Sequence, residues 1–162
     1  EELKPFENVL RFQNSHTPHL TLQFWNEVME IEYHRIEDQA QKIAAKAQPF
    51  LLQCTGASTF GSRGQEKVLF LDVAFSEELA SLKKQCPWPN ARPFSPHITL
   101  ARIGHPQRFA VHRKKIFKTL DGCSFSMSFD RLRLYAEVGG EKQTSIAEFP
   151  FQGSTNTKTQ RR

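Results

Sequence analysis

A chain of 162 residues, 38% of them hydrophobic, can bury one sizeable core and is too short for two independent domains. Its apolar runs, such as Val68-Leu69-Phe70-Leu71, are strand-sized and exclude a membrane-spanning helix, so a soluble protein is expected. The net charge of +5 favours anionic partners, and three scattered cysteines (Cys54, Cys86, Cys123) without a Cys-x-x-Cys pair exclude a disulfide framework or thiolate zinc site and favour a reducing, cytoplasmic setting.

A short strand is predicted at 9–12, then a polar turn, then a second strand over 19–25 from its apolar alternation. Ile36, Ala40, Ile43, Ala44 and Ala47 form one stripe at helical period, which predicts a helix over 33–48 stopped by Pro49. A strand is expected at 50–55, glycine-rich turns around a short strand at 56–64, and another strand at 67–74. Ser76, with Glu77 and Glu78 behind it, has the chemistry of an N-cap for a helix ending by Pro87. Four prolines, Pro87, Pro89, Pro93 and Pro96, keep the next segment extended and deliver it into a strand at 97–103. A helix at 111–120 and strands at 123–129, 132–138 and 144–151 follow, with Gly139-Gly140 as the last hairpin turn. Residues 154–162 read as a disordered basic tail behind a single domain at 1–153.

Within this order one pattern occurs twice: His19-Leu20-Thr21-Leu22 and His97-Ile98-Thr99-Leu100. With six histidines in the chain, the four-residue pattern is expected only about 0.05 times by chance, so two copies are no accident of composition. On a strand, the histidine and threonine of each copy share one face and the apolar residues share the other. Each copy is followed by a helix and strands, which suggests two lobes related by a pseudo-twofold axis, each contributing one such strand to a common cleft. One imidazole can then take a proton while the other gives one, and two threonine hydroxyls can hold a phosphate between them. Arg102 ends the second copy with a guanidinium suited to phosphate, but simple alternation puts it on the face opposite Thr99.

The doubled signature resembles the two-histidine (2H) phosphoesterase superfamily. The contexts Pro-His-Leu-Thr-Leu-Gln-Phe-Trp-Asn-Glu-Val at 18–28 and Arg-Pro-Phe-Ser-Pro-His-Ile-Thr-Leu-Ala-Arg at 92–102 are similar to its RNA 2′,3′-cyclic phosphodiesterase branch, also called 2′-5′ RNA ligases. The resemblance implies a bilobed α+β fold: two pseudo-twofold-related lobes of antiparallel sheet with flanking helices around a central groove. It implies metal-independent hydrolysis of RNA or nucleotide 2′,3′-cyclic phosphates to 2′-phosphomonoesters, with reversible 2′-5′ ligation, no cofactor and a monomeric enzyme acting on RNA ends or nucleotides. His19 and His97 are then the acid and the base, and Thr21, Thr99 and Arg102 bind phosphate. Related bonds, in 2′-5′ oligonucleotides or cyclic nucleotide-sugar phosphates, and a non-catalytic nucleotide- or RNA-binding module are the rival readings. Family members open with a strand and a long helix, for which the 18 residues before His19 leave no room.

Other residues carry less. His16-x-x-His19 is interrupted by Pro18 and lacks further ligands, and Gly61-x-x-Gly64 with Arg63 reads as a hairpin turn. Asp72 could support the site from behind but is read as an edge-strand charge. Among the aromatic residues near the repeats, Phe24, Trp25, Trp88 and Phe94, the proline-rich setting favours Phe94 for stacking on a base.

Overall fold

The computed structural model describes residues 2–90 and 92–153, so the expected tail lies outside the described residues. After a 3₁₀ turn at Lys4–Phe6 the elements run β1 (Leu10–Phe12), α1 (Glu30–Ala44), β2 (Phe50–Phe60), β3 (Val68–Val73), α2 (Glu77–Gln85), β4 (His97–Ile103), α3 (Pro106–Leu120), β5 (Phe125–Phe129), β6 (Arg131–Val138) and β7 (Glu141–Pro150). This is the α+β class expected, with a helix and strands after each histidine motif. Among the described residues no helix is long and apolar enough to cross a membrane.

The chain divides into two compact units. One holds the residues up to Phe24, Leu52–Phe75 and Asn90–Met127; the other holds Trp25–Leu51, Ser76–Pro89 and the residues from Ser128 onward. The first is built on a five-stranded sheet of order β1-β4-β3-β2-β5, in which β1, β4, β3 and β2 pair antiparallel. Leu10, Leu69, Ala101 and Ile103 project from one face of that sheet and pack with Phe6, Val9 and, from α3, Phe109 and Ile116. The core lies on that face, and the other carries polar side chains together with Phe60 and Phe70. In the second unit, α1 packs on the β6–β7 hairpin, and its buried stripe is Ile36, Ala40, Ile43 and Ala44 as the spacing predicts. Ser76 Oγ accepts the Leu79 N–H at 3.1 Å, the cap expected for α2.

Several boundaries differ from expectation for local reasons. Helix α1 starts at Glu30, because Glu32 accepts the Met29 N–H at 3.2 Å and closes the first turn early. Helix α3 starts at Pro106, whose fixed φ and missing N–H suit the first helical turn. Strand β2 does not stop at Thr55 but runs to Phe60, with a register shift against β3 between Cys54 and Gly56 that absorbs the irregularity read as a turn. The turn itself is Gly61–Gly64, as expected; at Gly61 (φ +111°) a Cβ would sit 2.5 Å from the Gln65 carbonyl oxygen.

The largest correction concerns the first motif. Residues 19–25 do not form a strand: among the described residues they join the sheet at one antiparallel bridge, Leu20 to Ile98. Strand β1 already pairs with Ala101–Ile103 on that side of β4, the chain leaves the sheet through a turn closed by Thr17 N–H on the Asn14 carbonyl, and Pro18 has no N–H to donate on return. The two motifs therefore lie side by side on one sheet of one unit, and do not come one from each lobe.

Candidate functional site

An antiparallel bridge has a local twofold axis between its two segments, and here that axis passes between the two copies of one motif. With Leu20 opposite Ile98, His19 falls beside Thr99 and Thr21 beside His97. Each histidine is thus neighbour to the other copy's threonine. The two histidines are diagonal neighbours, about 7–8 Å apart at Cα in such a register, which leaves room for one tetrahedral group between the imidazoles. Leu20 and buried Ile98 take the core face, so the four polar side chains take the other.

Both imidazoles are held in the same way. His19 Nδ1 lies 3.0 Å from the Thr17 carbonyl oxygen and His97 Nδ1 lies 2.7 Å from that of Ser95, in each case two residues back across a proline. A carbonyl can only accept, so this contact places a proton on Nδ1 and makes Nε2 the acceptor nitrogen of the neutral ring. His97 is further set by aromatic rings. Phe60 meets it edge-on at 4.8 Å and 84°, Phe70 at 5.2 Å and 59°, and the two phenylalanines stack on each other at 4.1 Å.

Arg102 is brought onto the histidine face by a bulge. Leu69 pairs with Ala101 but Phe70 pairs with Thr99, so β4 carries one extra residue, Leu100. Leu100 packs on the core, and beyond it Arg102 stands opposite Val68, on the same side as Phe70 and Thr99. Counting by twos from Thr99 misplaces it, and the bulge corrects the count. Asp72 is likewise corrected: it sits on the interior strand β3, directly opposite His97, and accepts a hydrogen bond from Ser58 Oγ at 2.7 Å.

Of the aromatic candidates, Phe94 is half-buried in the segment leading to β4. Trp25 and Trp88 belong to the second unit, packed edge-on at 5.2 Å, with Trp88 Nε1 donating to Gln39 Oε1 at 2.7 Å; they are structural there. Phe24 is exposed. Phe60 and Phe70, which do touch a site histidine, were not singled out by the sequence. Cross-strand register alone reveals them, and register is a non-local property.

Residues 4–141 match the family model described as the 2′-5′ RNA ligase superfamily. The chain is 27% identical over 151 residues to an RNA 2′,3′-cyclic phosphodiesterase of Geobacillus stearothermophilus, covering 87% of this chain and 48% of that protein. It is 30% identical over 95 residues to one of Aquifex aeolicus, covering 52% of this chain and 50% of that protein. The chain therefore spans about half the length of these curated relatives. Among solved structures, a protein of Thermus thermophilus superposes with a TM-score of 0.63 at 20% identity, covering 94% of this chain and 87% of that one. LigT of E. coli, complexed with NADP+, superposes with a TM-score of 0.61 at 21% identity, covering 90% and 82%. These structures speak for the fold.

Proposed function

The chain belongs to the 2′-5′ RNA ligase superfamily, and from that premise we propose that it hydrolyses 2′,3′-cyclic phosphates at RNA or nucleotide ends to 2′-phosphomonoesters. The observation that carries the proposal is the pair of imidazoles with matching Nδ1–carbonyl contacts, set diagonally across one bridge with a threonine beside each. The curated relatives named RNA 2′,3′-cyclic phosphodiesterase support the choice of bond.

In this reading Thr21 and Thr99 donate to the non-bridging oxygens and Arg102 adds a charged fork to the same phosphate. His97 Nε2 takes a proton from water as the water oxygen attacks phosphorus. The P–O3′ bond breaks, and protonated His19 gives its Nε2 proton to the departing 3′ oxygen, leaving the phosphate on O2′. With the 5′-hydroxyl of another RNA end attacking in place of water, the same forward exchange forms a 2′-5′ linkage, and its reverse breaks that linkage to restore the cyclic phosphate. Proton transfer between positioned groups is enough for these steps, at about 10²–10⁴-fold in rate for each imidazole.

The test is turnover of a 2′,3′-cyclic mononucleotide in the presence of a chelator, with products identified by mass and chromatography. The expected result is a 2′-phosphate, a bell-shaped pH profile, and at least a hundredfold loss of kcat in His19→Ala and in His97→Ala. Undiminished turnover in both variants would falsify the mechanism. Saturable binding with no product would favour a binding module.

A further inference from the structure

On the histidine face one more cation stands beside the site. Arg11 of β1 is the register partner of Arg102 on β4, and residues directly opposite in an antiparallel pair project to the same side. The bulge that places Arg102 with Thr99 therefore places Arg11 there too. Both arginines are exposed, and neither has a carboxylate partner among the described residues. Like charges directly opposite each other weaken a strand pair. Arginines that serve the fold are treated differently. Arg131 binds Asp130 and Glu148 at 2.8 and 3.0 Å and Arg133 binds Glu148 at 2.7 Å, and hydrogen bonds from Arg131 hold the Asp130 carboxyl below its ordinary range.

We propose that Arg11 is a second phosphate subsite, which takes the phosphodiester on the 5′ side of a terminal nucleotide whose cyclic phosphate lies between the histidines. The inference rests on the cyclic-phosphate reading of the site. A terminal nucleotide with a 2′,3′-cyclic phosphate has its other phosphate on the 5′ oxygen, one sugar away, and a mononucleotide lacks that diester altogether. From Thr99, Arg102 is about two strand positions along, or ~6.5–7 Å, and Arg11 is a further strand spacing of about 4.8 Å toward the edge of the sheet. Strand β1 is that edge, so a polynucleotide can leave over it without crossing another strand. A guanidinium fork suits a phosphodiester's two free oxygens, and it holds the chain without reading its bases. Arg11 thereby makes the site prefer the end of an RNA to a free cyclic nucleotide.

The full chain and its Arg11→Gln, Arg11→Lys and Arg102→Gln variants are compared on a 2′,3′-cyclic mononucleotide and on a short RNA ending in the same group. Binding of the 2′-phosphate RNA product is titrated in parallel as salt rises from about 50 to 200 mM. Arg11→Gln should lower the ratio of kcat/KM on RNA to that on mononucleotide about tenfold. It should also flatten the slope of log affinity against log salt by about 0.7, as expected when one contact to single-stranded phosphate is lost. Arg11→Lys should restore the slope and part of the affinity, since it keeps the charge and loses the fork. Arg102→Gln should weaken both substrates and leave the ratio standing. An unaltered ratio and an unaltered salt slope in Arg11→Gln overturn the subsite. If the parent chain turns over neither substrate, the hydrolysis reading falls, and the RNA titration judges Arg11 by itself: equal affinity and slope in parent and variant reject it.

Discussion

At each histidine a carbonyl two residues upstream accepts from Nδ1 and so sets the tautomer of the ring, and the proline between them restricts the backbone that carries that carbonyl. A tautomer chosen by backbone is insensitive to substitution of the side chains around it, but ring orientation is not. His97 is flanked by Phe60 and Phe70, and Phe60 is 38% exposed, so its removal tests orientation at small cost to the fold. Phe60→Leu is expected to lower kcat roughly 2–10-fold with little change in KM, the worth of one aromatic contact, and Phe60→Tyr is expected to restore it. Steady-state kinetics on a cyclic mononucleotide decides it, and parent-like kcat in the leucine variant rejects the orienting role. The histidines and threonines were legible because they repeat along the chain. Phe60 and Phe70 were not, and Asp72 reads as an edge-strand charge, because all three join His97 through strand pairing, to which no spacing within their own segments points.

At the scale of elements, the sheet presents the site only while β3 stays in register between β2 and β4. The turn after β2 is one place where that register is fixed. Glu66, 1% exposed, accepts the Gly64 N–H at 2.8 Å and pairs with Arg113 of α3 at 3.3 Å, so one buried carboxylate ties the turn to the helix. Glu66→Ala leaves that N–H and a partly buried guanidinium without it, and should cost about 2–3 kcal/mol in urea unfolding. Glu66→Gln, which can still accept from Gly64, should cost less than half as much. Equal losses in the two variants would show that side-chain volume, not the turn contact, matters. The helices were legible from their apolar stripe and from Ser76, since these are local causes. Strand β2 past Gly56, the lone bridge at Leu20 and the bulge at Leu100 were not, because each depends on which partner strand is already occupied.

At the scale of the whole molecule, charge separates attraction from chemistry. Lys158, Arg161 and Arg162 supply three of the five net positive charges from a stretch of sequence that holds no motif residue. Summed charge raises the rate of encounter with a polyanion over distances near the Debye length, about 10 Å at 0.1 M salt, and does nothing for a bond already in place between two imidazoles. Deleting Ser154–Arg162 should therefore leave kcat on a cyclic mononucleotide within about twofold of the parent. The same deletion should lower kcat/KM on a longer RNA several-fold at low salt, and the difference should vanish as salt rises. The Arg11 subsite gives a different signature, because a contact within the site also changes the affinity of a short RNA for the chain from which Ser154–Arg162 has been deleted. A deletion that abolished mononucleotide turnover would place the tail in the active site, and one that abolished all RNA affinity would make the basic tail, not the histidine face, the seat of RNA binding. Loss confined to long RNA at low salt is what a diffuse cation attached to a complete site produces.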